Sequence, residues 1–134
     1  PFHKLSQWMT YSLIEPIIEA GIEVTGVEEL TGLAEYRNGG LIIDSGLVTL
    51  RDPEELKKAW TPESELIVEW RALTVHLLDQ FGAGVQKAFG RSSAEFPLAK
   101  VLEGGTWWAG RFLAQEKRTS GDPPIMIQSD GTVF

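Results

Sequence analysis

Glu65-Leu66-Ile67-Val68-Glu69-Trp70-Arg71-Ala72-Leu73-Thr74-Val75-His76-Leu77-Leu78-Asp79-Gln80-Phe81 reads as one strongly amphipathic helix, and the rest of the chain is read outward from it. At about 100° per residue, Glu65, Glu69, Ala72, His76 and Asp79 fall on one narrow polar strip. Leu66, Trp70, Leu73 and Leu77 fill one flank of the opposite arc, and Val68, Val75 and Leu78 fill the other. Arg71 projects between Val75 and Leu78, inside the apolar arc. A guanidinium placed there needs an acceptor, because burying it unpaired costs several kcal/mol. The spacing therefore predicts a largely buried Arg71 paired from outside its own helix, with Glu35 the first partner and Glu103 or Asp44 next.

On either side of this helix the signals are shorter. Lys4 to Ala20 carries an apolar helical pattern with Leu5, Trp8, Met9, Ser12 and Leu13 near one face; Pro16 should kink or divide it, and Gly21 should stop it. Ile22-Glu23-Val24-Thr25 alternates like a strand, Val27 to Tyr36 suits a short helix, and Leu41-Ile42-Ile43 suits a buried strand that Leu47 to Leu50 continues. Asp52-Pro53-Glu54-Glu55 caps a helix to Trp60, and Thr61-Pro62-Glu63-Ser64 repeats that signature before the central helix. Gly82 and Gly84 weaken the end of that helix. Pro97 to Glu103 and Thr106 to Lys117 read as two helices divided by Gly104-Gly105. Ile125, Ile127, Val133 and Phe134 carry too much apolar surface to trail in water, so the tail from Pro123 should pack back as strand and turn, with Asp130-Gly131 as the turn. The expected architecture is α+β, mostly helical with a small β-sheet or hairpin, in a single domain spanning 1–134.

Composition narrows the function. The chain has no cysteine, which excludes disulfides, thiolate metal sites and cysteine nucleophiles. Nineteen acidic against twelve basic residues give a net charge of −7, which repels a phosphate backbone and argues against a nucleic-acid partner. No apolar run approaches the roughly 20 residues that span a bilayer, and Pro1-Phe2-His3-Lys4 lacks a signal-peptide pattern. No membrane partner and a cytoplasmic location are therefore expected. There is no two-histidine spacing, no Walker loop, no Gly-x-Gly-x-x-Gly and no Gly-x-Ser-x-Gly elbow, so neither metal nor cofactor is expected. A start at Pro1 without methionine suggests a piece of a longer protein.

Two segments concentrate chemistry. Glu35-Tyr36-Arg37-Asn38-Gly39-Gly40 is a dense polar cluster between apolar segments, and its glycine pair suits backbone amides held toward an anion. The plainer reading is that Glu35 or Arg37 caps a helix and that Asn38-Gly39 is a turn. Glu103-Gly104-Gly105-Thr106-Trp107-Trp108 places two glycines at a helix start, where free amides can meet an anion. Its adjacent tryptophans point in different directions, one toward a pocket and one into the core. Here too the plainer reading is a cap. The position of Glu35 between Ala34 and Tyr36 predicts poor exposure, with an arginine or tryptophan side chain within reach.

Ser6-Gln7-Trp8-Met9-Thr10-Tyr11-Ser12-Leu13, Glu35 to Gly40, Glu69-Trp70-Arg71-Ala72-Leu73-Thr74, Leu102 to Trp107 and Ser129-Asp130-Gly131-Thr132-Val133-Phe134 together resemble the uracil catabolism protein 4 family. The likeness runs over nearly the whole chain, in order, and corresponds to the C-terminal third of family members. Leu30-Thr31 through Glu35-Tyr36-Arg37, with Ser64-Glu65-Leu66 through Arg71-Ala72, is more loosely similar to the queuosine-salvage nucleoside hydrolases. Those enzymes carry an aspartate where this chain has Glu35. The second resemblance implies a DNA-glycosylase-like helical core and cleavage of an N-glycosidic bond. The two together imply a small, nucleotide-derived substrate of the ribosyl-urea type. Glu35 would be the catalytic carboxylate; Arg37, Asn38, Gly39, Gly40, Arg71, Glu103, Trp107 and Trp108 would bind substrate. The N-terminal remainder of the same protein is the implied partner. The competing reading is a non-catalytic C-terminal module that completes a pocket formed by that remainder.

Overall fold

The structure, a computed structural model, describes residues 3–134. Among these are five α-helices: α1 (Lys4–Glu19), α2 (Tyr36–Asp44), α3 (Glu65–Phe89), α4 (Leu98–Val101) and α5 (Trp107–Lys117). Two short strands, β1 (Ala59–Trp60) and β2 (Met126–Ile127), pair in parallel with Ala59 opposite Met126 and Trp60 opposite Ile127. The mostly helical α+β expectation holds, and the small sheet is a parallel pair rather than a hairpin.

The 25-residue α3 is the spine. Ile67, Trp70, Thr74, Val75, Leu78 and Gly82 form its buried face. The helix runs through Gly82 and Gly84 to Phe89 and stops at Gly90, whose φ of 62° is the left-handed cap that glycine favours. Gly82 is retained inside the helix for a packing reason: a Cβ there would stand 2.8 Å from Leu98 Cδ1. Two apolar clusters result. Ala34, Ile67, Trp70, Val75, Ile125 and Phe134 form one, and Leu33, Leu78, Leu98, Val101 and Leu102 form the other. The tail packs back as expected, with Ile125 and Phe134 fully buried and the Phe134 ring edge-on to Trp70 at 4.7 Å.

Several local expectations are corrected. Leu41-Ile42-Ile43 is not a strand but the second half of α2; a three-residue apolar run cannot by itself distinguish strand from helix. Residues 22–25 and 47–50 form no strand. Val27 to Tyr36 shortens to a 3-10 turn, Val27–Glu29, followed by an extended segment. That segment must pass close to α3, since a Cβ at Gly32 would lie 2.7 Å from Leu78 Cβ. Pro53–Lys57 is also a 3-10 turn, capped as expected by the Asp52 side chain. Pro16 lies inside α1 without ending it. Gly104-Gly105 does not break the chain into two helices, because Leu102–Thr106 forms a π-helical turn that joins α4 to α5.

Candidate functional site

The site is built from the start of α2. Glu35 is extended at the cap position (φ −128°, ψ 136°), and its Oε2 accepts the backbone N–H of Arg37 at 2.8 Å and of Asn38 at 3.3 Å. Glu35 is thus the helix cap that the plainer reading anticipated. It is also 2% exposed, which is unusual for a carboxylate. Burial pushes its carboxyl up to about 7, against the lowering effects of the Arg37 amide, the Lys4 charge, the Asn38 amide and the Arg37 charge. Poor exposure was anticipated correctly. Its hydrogen-bond donors, however, are backbone amides rather than an arginine or tryptophan side chain, because the cap geometry turns Oε2 onto the helix's own first turn.

Lys4 is the residue that sequence reasoning missed. Its Nζ donates to the Phe134 carbonyl at 3.2 Å and lies 5.2 Å from the centre of the Tyr36 ring. Burial lowers its pKa, while the Glu35 and Asp130 charges raise it. The tail also feeds α1 directly: the Lys4 and Leu5 amides donate to the Val133 and Thr132 carbonyls at 3.2 and 2.9 Å. The start of α1, the start of α2 and the C-terminal tail therefore converge on one buried carboxyl. Nothing in a single lysine near the start of the chain signals that convergence, since it depends on a contact spanning 130 positions.

Asn38 is 1% exposed. Its Oδ1 accepts from Thr106 Oγ1 at 2.9 Å, and its Nδ2 has no partner among the described residues. The π-helical turn thus has a structural use, since Thr106 within it makes the buried bond to α2. Gly110 then brings α5 against α2, where any Cβ would collide with the Arg37 carbonyl. Arg37 Nη1 donates to the Gly121 carbonyl at 2.6 Å, and its guanidinium stacks 4.9 Å from the Tyr36 ring centre.

The glycine pair is used differently from expectation. The Gly39 amide donates to the Glu35 carbonyl at 2.9 Å inside the helix, so it is not turned toward an anion. Gly39 instead admits Trp70, whose Nε1 donates to the Gly39 carbonyl at 3.1 Å, and Gly40 lies close to Pro124. Arg71 sits on the buried arc of α3 but is half-buried, not enclosed; its long stem can lie on apolar surface while the head stays nearer water. Burial lowers its pKa. The carboxylates named as its partners have other settings. Asp44 pairs with Arg118 at 2.8 and 2.5 Å, Glu35 caps α2, and Glu103 is exposed. Gly104 and Gly105 are exposed within the π turn rather than at a helix start. Trp107 is half-buried and Trp108 exposed, their rings edge-on at 5.0 Å with Arg111 over both.

The structure therefore brings Glu35, Arg37, Asn38, Gly39 and Gly40 together with Lys4 and Thr106. Arg71, Glu103 and Trp108 lie outside that cluster's bonds. The largest cavity, about 840 Å³, lies elsewhere, floored by Ile43, Leu50, Leu66 and Trp70 and edged by Glu55, Glu63 and Glu69. Among the described residues no group of His, Cys, Asp and Glu is arranged to hold a metal, and no helix is long and apolar enough to cross a membrane.

The family model described as a protein of unknown function, DUF1688, matches residues 1–134. Protein urg3 of Schizosaccharomyces pombe is 47% identical over the whole chain. Uracil catabolism protein 4 of Lachancea kluyveri is 41% identical over 99% of it. The chain spans 34% of the length of each of these relatives. No solved structure matches.

Proposed function

This chain belongs to the DUF1688 family, and from that membership we propose that it serves uracil catabolism by hydrolysing the N-glycosidic bond of a ribosyl-urea-type nucleotide breakdown product. The name of its Lachancea kluyveri relative supports the pathway. One observation supports the chemistry: Glu35 is a buried carboxyl held at about 7 beside Lys4 and Arg37. A group titrating there is half ionised at neutral pH, where general acid–base catalysis works best. The likeness to nucleoside hydrolases, and the glycosylase-like core it implies, belong to the same proposal.

In this reading the bond from the sugar C1′ to the ureido nitrogen breaks through an oxocarbenium-like state that the Glu35 carboxylate stabilises. Glu35 takes a proton from the attacking water, the water oxygen joins C1′, and the proton passes to the departing nitrogen. Urea and the ribose phosphate leave. Arg37 keeps guanidinium donors beyond the one given to Gly121 and, with Arg71, would hold the phosphate. Asn38 Nδ2 would donate to the urea carbonyl, Glu103 would bind a sugar hydroxyl, and Trp107 and Trp108 would wall the site. Gly39 and Gly40 serve by letting α2 sit close to Trp70 and Pro124. No cofactor or metal takes part, and the protein works in the cytoplasm. A single domain over 1–134, forming the C-terminal part of a longer chain, belongs to the same reading.

The second reading is a non-catalytic module whose remainder builds the reacting half of the site. It is favoured by the full capping role of Glu35 and by the absence of Glu35 from the large cavity's lining. Incubating a protein of the relatives' full length with a ribosyl-urea phosphate and measuring urea release separates the two. Release that Glu35→Gln abolishes supports hydrolysis by this chain; release that survives the substitution supports the module.

A further inference from the structure

Helix α1 is mounted with its polar side inward. The side chains that fix it to the body are Gln7, which donates to the Gly32 carbonyl at 3.1 Å and accepts the Ala34 amide at 3.2 Å, and Tyr11, whose hydroxyl donates to the Thr31 carbonyl at 2.5 Å. With Lys4 on the Phe134 carbonyl, these are hydrogen-bonding groups on one face of the helix. The opposite face carries Leu5, Trp8, Met9 and Leu13, exposed by 54, 48, 58 and 48%. At about 100° per residue these four and Ser12 share one arc, and no charge falls among them. Not one of the sixteen residues of α1 is buried.

Ordinary surface helices do the reverse, turning the apolar stripe to the core and the polar face to water. A contiguous apolar stripe on the outside marks an interaction surface. The relatives supply the occupant's source, since two-thirds of their length lies outside the span this chain matches. We propose that in a protein of the relatives' full length the remaining chain covers this stripe with an apolar segment, docked on Leu5, Trp8, Met9 and Leu13. The inference rests on the face that α1 presents and on the relatives' length, and not on any chemistry at Glu35.

Tryptophan and methionine oxidise readily under hydroxyl radicals, so the unmodified full-length protein reports on the stripe without a variant. Trp8 and Met9 are expected to oxidise at least about tenfold more slowly in the folded full-length protein than in the same protein unfolded in guanidinium. Mass spectrometry of the α1 peptide reads the rates. Folded rates within about threefold of the unfolded ones would overturn the proposal. The measurement is repeated across a dilution series with light scattering alongside. Protection that holds in the monomer supports an intramolecular cover. Protection lost as a dimer dissociates assigns the stripe to a second copy and overturns the proposal. A Met9→Asp variant should expose more apolar surface to a fluorescent hydrophobic dye while urea-release activity is scored separately, so loss of docking and loss of chemistry remain distinct.

Discussion

Replacing Glu35 by glutamine should make this protein more stable, and only at neutral and alkaline pH. Burial raises the Glu35 carboxyl from an ordinary 4.5 to about 7 in the folded state. The sign follows from proton counting. Below pH 4.5 the carboxyl is protonated in folded and unfolded chains alike and contributes no pH dependence. Between 4.5 and about 7 the unfolded chain releases this proton while the folded one keeps it, so stability falls as pH rises. Above about 7 the full penalty is present and constant. The interval from 4.5 to about 7, at about 1.36 kcal/mol per pH unit, corresponds to about 3 kcal/mol. Glutamine keeps an oxygen for the Arg37 and Asn38 amides and has nothing to ionise. Urea unfolding followed by tryptophan fluorescence, run from pH 4 to pH 8.5 on both proteins, isolates the effect because the other carboxylates cancel in the difference. The variant should match the parent at pH 4 and exceed it by about 3 kcal/mol at pH 8. A difference that stays constant across the range would refute the reasoning, because it would mean that Glu35 ionises as a solvated carboxylate does.

Gly110→Ala should cost at least about 3 kcal/mol by forcing α5 away from the Arg37 carbonyl, whereas Gly104→Ala, with nothing within 4 Å of its Cβ, should be near neutral; thermal melts compare the two. Arg118→Met leaves Asp44 buried without its bidentate partner. The expected loss is about 2–3 kcal/mol in urea unfolding, less than for a fully buried pair because Arg118 keeps 27% of its side-chain exposure. Lys57→Met, which breaks the exposed pair with Glu54, should leave the urea midpoint unchanged. Lys4→Met removes a positive charge that lowers the Glu35 pKa, so the Glu35 carboxyl should titrate higher than in the parent, as followed by carbon NMR of labelled glutamate.

What was legible in the sequence was what is local. The arc of α3, the stop at Gly21, the Asp52 cap and the apolar tail each follow from residues close in sequence, and each is present. Leu41-Ile42-Ile43 misled because Gly39-Gly40 opposes a helix by intrinsic propensity. Tertiary packing overrides that propensity, since only a glycine at 39 lets α2 approach Trp70, Thr74 and Phe134. The same holds at Gly104-Gly105, where a π turn carries the helix through and delivers Thr106 to Asn38. At the candidate site, the Glu35 to Gly40 cluster was visible as a dense polar patch. Lys4 was not, because only the fold brings the two ends of the chain together around it. Arg71 was placed on the correct arc, but a helical wheel reports direction and not depth.

The central claim is that the Glu35 carboxylate, titrating near 7, performs chemistry. The most direct measurement is the pH dependence of urea release from a ribosyl-urea phosphate by a protein of the relatives' full length, with and without Glu35→Gln. Because the ionised carboxylate takes the proton from water, kcat/KM should rise with pH through about 7 and level off above it, and Glu35→Gln should lower the plateau at least about 100-fold while the protein stays folded. A folded Glu35→Gln protein that keeps the parent's rate and the parent's profile would contradict the account and leave Glu35 as the cap of α2 alone.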